Sequence, residues 1–143
     1  MVNGYPHVQQ IPTRWKDNDV YGHVNNVVHY SLMDTVINTW LIERGGLDPG
    51  TSPVIGLCVE SHCNYHASVA FPDVLSVGLR VAHLGKSSVR YEIGISRQEE
   101  LVAEGHFVHV FVDRETRRPL PVEGKLRDCL EALRPPPDRS TPA

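Results

Sequence analysis

The sequence predicts an α+β domain in which one long helix packs against an antiparallel sheet. Two observations carry this prediction: one stretch places apolar residues at helical spacing, and several later stretches alternate apolar with polar residues. A helix and a sheet can each bury an apolar face against the other, so this layer arrangement is a common one. The chain has 143 residues, the size of one ordinary domain.

The long helix is predicted to follow a short strand and a polar run. The strand is predicted from His7 to Trp15, and the polar run covers Lys16 to Asn26. The segment from Val27 to Arg44 then carries apolar residues at helical spacing, namely Val28, Leu32, Met33, Val36, Ile37, Trp40 and Leu41. Asn25 or Asn26 is the predicted N-cap and Gly45-Gly46 the predicted stop, which gives a helix of roughly 28 Å.

Period-two alternation predicts the strands that follow the helix. One long strand is predicted from Ile55 to Phe71, with its apolar residues at odd positions, and Pro72-Asp73 ends it. The apolar faces of the next two strands are Leu75, Val77, Leu79, Val81 and Val89, Tyr91, Ile93, Ile95. A last strand is predicted from Leu101 to Val112, with hairpins joining the four strands, and a short helix from Gly124 to Leu133.

The parity of the residue numbers predicts how two of these strands pair. Their apolar faces point the same way only if paired residues are both odd or both even. A three-residue loop, Gly85-Lys86-Ser87, satisfies this condition, and a two-residue loop does not. Val81 is then predicted to face Tyr91, Leu79 to face Ile93, and Arg80 to face Glu92.

Composition narrows the class of protein. Hydrophobic residues make up 41% of the chain, enough for a core, and 14 basic against 17 acidic residues give no basic surface for a nucleic acid. No N-terminal apolar run has the length of a signal peptide, and no apolar stretch is long enough to span a membrane. The three cysteines form no CxxC pair. A cytoplasmic protein with free thiols and no membrane partner is therefore expected. Residues 1–134 are predicted to form the domain, and the proline-rich residues 135–143 a disordered tail.

The run DNDVYGHVNN, Asp17 to Asn26, concentrates polar groups directly before the apolar helix. One interpretation is an ordinary polar loop with an N-cap and a turn glycine. The other rests on the helix N-terminus, whose unpaired N–H groups can bind a carbonyl oxygen and stabilise an oxyanion. A nearby carboxylate can attack the carbonyl or deprotonate a water. The pattern alone leaves both interpretations open.

A family resemblance favours the second interpretation. The segment RWKDNDVYGHVNNVVHY is similar to the active-site segment of the 4-hydroxybenzoyl-CoA thioesterase-like group of hotdog proteins, and its HVNN part also resembles long-chain acyl-CoA and plant acyl-ACP thioesterases. Phe71 to Ile93 looks like the second and third sheet strands of that group, so the resemblance covers roughly Thr13 to Val112. It implies a hotdog fold, with a five- to six-stranded antiparallel sheet wrapped round one long central helix. It also implies hydrolysis of an acyl-CoA or acyl-ACP thioester.

The resemblance also implies roles for individual residues. The catalytic carboxylate of the family maps onto Asp19, as nucleophile or as general base, whereas Asp17 is expected to be structural. His23 is expected to orient water or the thioester, and the N–H groups near Asn25 and Asn26 correspond to the carbonyl-binding helix end. Further substrate contacts are predicted for Tyr21, Gly22, Lys86, Ser87 and Arg90.

Two groups of residues outside the run admit more than one interpretation. Lys86, Arg80 and Arg90 can bind CoA phosphates by charge-assisted hydrogen bonds, or can form a solvated basic turn with an Arg80–Glu92 ion pair. Cys58, His62 and His66 suggest a metal site. However, strand residues four apart are separated by about 13 Å, too far to share a zinc ion. No metal and no cofactor are therefore expected.

Two other functions compete with hydrolysis. One is a non-catalytic hotdog module that binds or senses acyl-CoA, and the other is a hotdog dehydratase. The dehydratase is the weaker alternative because its Asp and His lie further apart than Asp19 and His23. One sheet with one helix leaves a face or an edge of the sheet open, so a homodimer or homotetramer is expected.

Overall fold

The structure is a computed structural model that describes residues 4–135. Its elements in chain order are β1 (His7–Pro12), a 3-10 turn (Trp15–Asp17), α1 (Asn26–Glu43), β2 (Val54–Tyr65), β3 (Val74–Leu84), β4 (Ser88–Arg97), β5 (Glu100–Asp113) and α2 (Gly124–Glu131). The strands form one antiparallel sheet in the order β1-β3-β4-β5-β2. The predicted α+β class and antiparallel sheet are confirmed. The predicted tail lies, apart from Pro135, outside the described residues.

Helix α1 begins and ends where the capping residues predict. The side chain of Asn25 accepts a hydrogen bond from the amide of Val27 at 3.0 Å and so caps the first turn. At the other end Gly46 has a φ of +70°, and the amide of Leu47 donates to the carbonyl of Leu41 at 3.1 Å. The same carbonyl also accepts the amide of Gly45 at 3.0 Å, so the chain reverses over the last turn. Glycine adopts the left-handed conformation at this reversal without a steric cost.

The first strand is shorter than predicted because a 3-10 turn interrupts it. β1 ends at Pro12, and the amide of Asp17 donates to the carbonyl of Arg14 at 2.9 Å, which closes the turn. Trp15 lies inside this turn with 76% of its surface exposed, so it does not continue the strand.

The predicted hairpin between β2 and β3 is wrong. β2 pairs with β5 at one edge of the sheet, and the chain then crosses to the opposite half, where β3 pairs with β1 and β4. Where the chain leaves β2, the amides of His66 and Ala67 both donate to the carbonyl of Val102, at 2.8 and 3.2 Å. Consecutive strands form hairpins only from β3 onward.

The predicted apolar face of β2 is also wrong, because the register shifts between Cys58 and Glu60. Residues paired across a sheet point to the same face. Gly56 therefore shares a face with buried Phe111 before this bulge, and Cys63 shares a face with Gly105 after it. The core-facing residues of β2 therefore have even numbers before the bulge and odd numbers after it. The predicted face, which used odd numbers throughout, holds only after the bulge. Val59, at the bulge, is 60% exposed.

The register predicted between β3 and β4 is confirmed. Val81 pairs with Tyr91, Leu79 with Ile93 and Arg80 with Glu92, and three residues separate the two strands. A bulge after Val81 moves the pairing by one residue closer to the turn. The apolar faces predicted for these strands are fully buried.

The core lies between the sheet and the inward face of α1. That face contributes His29, Leu32, Met33, Val36, Ile37 and Leu41. Helix α2 closes the far end, where the indole Nε1 of Trp40 donates to the carbonyl of Cys129 at 2.8 Å. Among the described residues, neither helix is long and apolar enough to cross a membrane.

One buried polar pair inside this core has a consequence for stability. His109 is 3% exposed, and its Nδ1 lies 3.2 Å from the hydroxyl of Tyr91. Burial lowers the pKa of His109 to about 4, although the charge of Asp34 acts slightly in the opposite direction. The imidazole is therefore neutral in the folded protein at pH 7.

We expect this histidine to make the fold sensitive to mild acid. The unfolded chain takes up a proton near pH 6.5, whereas folded His109 does so only near pH 4. Its contribution to stability is complete above about pH 6.5 and is lost as the pH falls towards 4, by about 2 kcal/mol at about pH 5. Urea unfolding at about pH 7 and pH 5 measures this loss. His109→Gln should show a smaller loss, and an equal loss in both proteins would contradict the assignment.

Candidate active site

The run before α1 folds into a tight turn that directs Asp19 towards the helix. Asn18 and Val24 form a β-bridge, and the amide of Asp19 donates to the carbonyl of His23 at 2.9 Å. The amide of Gly22 donates a hydrogen bond to the carbonyl of Asp19 at 3.1 Å, and Gly22 has a φ of +83°. This conformation favours glycine, so the turn accounts for the glycine in the run.

Asp17 anchors this turn to its surroundings. Its carboxylate, 5% exposed, accepts hydrogen bonds from the amide and from Nη2 of Arg14, both at 2.8 Å. Burial alone would raise the pKa of Asp17, but the hydrogen bonds and the charge of Arg14 outweigh it and keep the pKa below the usual value. The carbonyl of Asp17 accepts the amide of Asn25 at 2.9 Å. Asp17 therefore joins the turn to the N-cap of the helix.

The carboxylate of Asp19 is half-buried and largely free to act on a ligand. Its Oδ1 accepts the amide of Tyr21 at 2.9 Å. Among residues 4–135, the carboxylate makes no other hydrogen bond and no ion pair. Tyr21 itself is 81% exposed, so its backbone rather than its ring takes part in this contact. One oxygen of Asp19 therefore remains available.

A cavity of about 460 Å³ brings Asp19 together with the start of the helix. Its walls are formed by Asp19, His23, Val24, Asn26, His29, Tyr65, His66, Ala67 and Ser68. Three of the predicted site residues, Asp19, His23 and Asn26, thus share one cavity. Asn25 lies next to it as the N-cap, whereas Tyr21 and Gly22 form the exposed turn beside it.

The other predicted contacts lie away from this cavity. Lys86 and Ser87 are in the turn between β3 and β4, and Arg90 is on β4, 3.8 Å from the carboxylate of Glu60. The Nε of Arg80 lies 2.8 Å from Glu92, which is the ion pair considered for this basic turn. None of these side chains lines the cavity around Asp19.

At the helix N-terminus one backbone amide of the described residues, that of the cavity-lining Asn26, has no partner. The amide of Val27 is taken by the side chain of Asn25, and that of Val28 donates to the carbonyl of Asn25 at 2.9 Å. Among the hydrogen bonds of the described part of the chain, none engages the amide of Asn26. The first turn also carries no acidic residue that would neutralise the positive end of the helix dipole. An anionic oxygen can therefore be stabilised there.

Sequence reasoning missed the part of the cavity that β2 and its continuation supply. The hydroxyl of Tyr65 donates to the carbonyl of Asn26 at 3.0 Å, a contact across 39 positions of the chain. Burial, together with neighbouring Cys63, raises the pKa of Tyr65 to about 12, so the hydroxyl remains a donor at neutral pH. Because the crossover of β2 was not predicted, nothing in the local pattern could place Tyr65 beside the helix start.

His29 is the second residue that the sequence analysis missed. It occupies an inward position of α1 and is 4% exposed. The only signal was a polar residue at a position of the helix that otherwise faces the core.

The residues considered for a metal site have other partners. His62 Nε2 lies 3.0 Å from Asn64 Oδ1, and His62 stacks on His106 with ring centroids 5.6 Å apart. His66 Nε2 lies 3.2 Å from Glu104. Within residues 4–135, no group of three or more His, Cys, Asp or Glu side chains is arranged to hold a metal ion.

Known proteins resemble this chain in fold and in sequence. Over 94% of this chain and 95% of its own, the PA5185 protein of Pseudomonas aeruginosa has a crystal structure with a TM-score of 0.90 and 53% identity. The 1,4-dihydroxy-2-naphthoyl-CoA hydrolase of Synechococcus is 30% identical over 83% of this chain and 85% of its own. The long-chain acyl-CoA thioesterase FadM of Escherichia coli is 28% identical over 87% of this chain and 96% of its own.

A family model agrees with these relatives. The model of the thioesterase-like superfamily matches residues 13–130, which is most of the chain and includes the whole cavity. The predicted hotdog resemblance is thereby confirmed, and the chain belongs to the thioesterase-like superfamily.

Proposed function

We propose that this protein hydrolyses an acyl-CoA thioester to the free acid and CoA, with Asp19 as the catalytic carboxylate. The observation that carries the proposal is the cavity that Asp19 shares with the free amide at the start of α1. A carboxylate and an oxyanion-stabilising helix end are the two groups that attack on a thioester carbonyl requires. The two relatives named for CoA-thioester hydrolysis, from Synechococcus and Escherichia coli, support the same reaction.

The helix end and Asp19 have different roles in the proposed reaction. The thioester oxygen lies against the amide of Asn26, where the helix dipole favours the negative charge that develops during attack. The free oxygen of Asp19 then either attacks the carbonyl carbon, giving an anhydride that water opens, or deprotonates the attacking water. Both routes release a thiolate, which is a good leaving group and needs little help from an acid.

Two supporting roles follow from position. His23 is exposed and lines the cavity, so it is placed to orient water or the thioester as the substrate enters. Lys86 is exposed in its turn and can meet a CoA phosphate, with Ser87 beside it. Arg90 already lies beside Glu60, and this ion pair competes with a contact between Arg90 and a CoA phosphate. An acyl-ACP thioester contains the same reacting bond, so both carriers belong in the substrate test.

We infer that the working form is a dimer or tetramer in which the sheet wraps round α1 as in other hotdog domains. Within residues 4–135, β2 lies at an edge of the sheet and pairs only with β5, so its other side offers backbone groups that no described strand pairs. The exposed side chains of Val59 and Tyr65 lie on this edge. A cytoplasmic location fits the three free cysteines, since thiols persist in a reducing compartment.

Replacing Asp19 by Asn is expected to lower kcat by at least about 100-fold, because an amide can neither attack the carbonyl nor accept the proton of water. Thiol release from a panel of acyl-CoAs and acyl-ACPs, with a thiol-reactive dye, measures this loss. The melting temperature should change little, because among residues 4–135 the carboxylate accepts a hydrogen bond only from the amide of Tyr21.

The matched control is Asp128→Asn, an exposed aspartate on α2 that lies outside the cavity. It should hydrolyse thioesters as the wild type does. Equal turnover by Asp19→Asn would show that Asp19 is not the catalytic carboxylate. Tight binding of acyl-CoA by the wild type without turnover of any thioester would identify a binding module instead.

The edge of β2 gives a prediction about assembly. Light scattering after gel filtration should find at least a dimer for the wild type. Val59→Lys should shift the protein towards monomer, because a buried lysine at an edge-to-edge contact opposes pairing. Ile42→Lys is the control, because Ile42 is an exposed apolar residue that belongs to α1 and not to β2. A monomeric wild type at micromolar concentration would contradict the inference.

A further inference from the structure

His29 is a buried imidazole whose two ring nitrogens form no hydrogen bond with any residue that the structure describes. The residue is 4% exposed, and neither Nδ1 nor Nε2 meets a donor or an acceptor among the described residues. A neutral imidazole always carries one donor and one acceptor. Leaving such groups buried and unpaired costs free energy, and native proteins rarely accept this cost without a reason.

The neighbouring side chains do not provide hydrogen bonds for the ring nitrogens of His29. The ring of Tyr65 meets it edge to face, with centroids 4.9 Å apart, and the Tyr65 hydroxyl already donates to the carbonyl of Asn26. Burial lowers the pKa of His29, and the carbonyls of Asn25 and Asn26, which lie near the ring without completing a hydrogen bond, offset this only in part. At neutral pH the ring is therefore uncharged and can both donate and accept.

The cavity offers the missing partner. His29 forms part of its wall together with Asp19, Asn26 and Tyr65. A half-turn of the imidazole about its Cβ–Cγ bond exchanges each ring nitrogen with a ring carbon. The ring can thus present a nitrogen to an occupant of the cavity without movement of the helix.

The position of His29 indicates which part of a substrate it meets. It lies three residues beyond Asn26, about 4.5 Å further along the helix axis. Asn26 is exposed and His29 is buried, so His29 lies on the inner side of the place proposed for the thioester oxygen. The bulky, charged CoA must remain on the open side. The group that passes inward from the thioester is the acyl group.

We propose that His29 hydrogen-bonds a polar substituent on the acyl group, so that the preferred substrates carry a hydroxyl or carbonyl on that group. This rests on the proposed thioester hydrolysis. The rest of the wall agrees, because only Val24 and Ala67 among its residues have purely apolar side chains. An unsubstituted hydrocarbon chain would leave His29 unpaired in the complex, and buried unpaired groups are how sites reject analogues that lack a hydroxyl.

The test compares thioesters that differ only in the substituent. kcat/KM is measured for 3-hydroxybutyryl-CoA against butyryl-CoA and for 4-hydroxybenzoyl-CoA against benzoyl-CoA. In at least one pair the wild type should favour the hydroxylated acyl group by about 10-fold or more. His29→Phe keeps an aromatic ring without nitrogens, so it should bring that ratio close to one.

Controls separate a direct contact from a general effect on folding. His83→Phe changes an exposed histidine of β3 outside the cavity and should keep the wild-type ratio. If thermal melting shows that His29→Phe does not fold, His29→Leu replaces it. A wild-type ratio within about threefold of one in both pairs, or a preference that survives loss of the imidazole, overturns the role of His29 and leaves hydrolysis standing. Absence of hydrolysis of every thioester overturns the proposed function itself.

Discussion

The hydrogen bond from the amide of Asn25 to the carbonyl of Asp17 connects the two parts of the site. On one side of this bond the carboxylate of Asp17 is held by Arg14, and on the other side Asn25 caps α1. The turn that carries Asp19 and the helix end that carries the free amide therefore keep a fixed separation. A charge-assisted contact in a part-buried position is strong enough for this purpose, since both partners are already oriented by the 3-10 turn.

Two buried histidines illustrate how the same side chain serves different ends. His109 is packed among core strands and has the hydroxyl of Tyr91 beside it, so its position is explained by the fold. His29 lies at the boundary between core and cavity, and no group in the described part of the chain forms a hydrogen bond with its ring. The two residues differ in hydrogen bonding and not in burial, since both are almost inaccessible to solvent. The tyrosine hydroxyl gives the first a partner within the fold, and the lack of one at the second is the basis of the proposed substrate contact.

The sequence predicted local features well and long-range placement poorly. The N-cap of α1, predicted at Asn25 or Asn26 and found at Asn25, depends on neighbouring residues. The pairing of Val81 with Tyr91 depends on one short turn, and the parity of the residue numbers predicted it. The pairing of β2 with β5 depends on contacts across some forty to sixty residues, which alternation cannot specify. For that reason Asp19 and Asn26 could be placed together from their common run, whereas Tyr65 could not be added to them.

The bulge in β2 changes which side chains point to the core, and it also has a consequence for solubility. A long, flat, unpaired edge strand is a template on which any extended chain can add, which is the first step towards fibrils. The irregularity between Cys58 and Glu60 divides the open edge into two short segments. The free N–H and C=O groups of the two segments do not continue one regular spacing. An added strand matches both only if it carries an interruption at the corresponding place. The edge can thus discriminate against foreign strands while remaining open to one of matching shape.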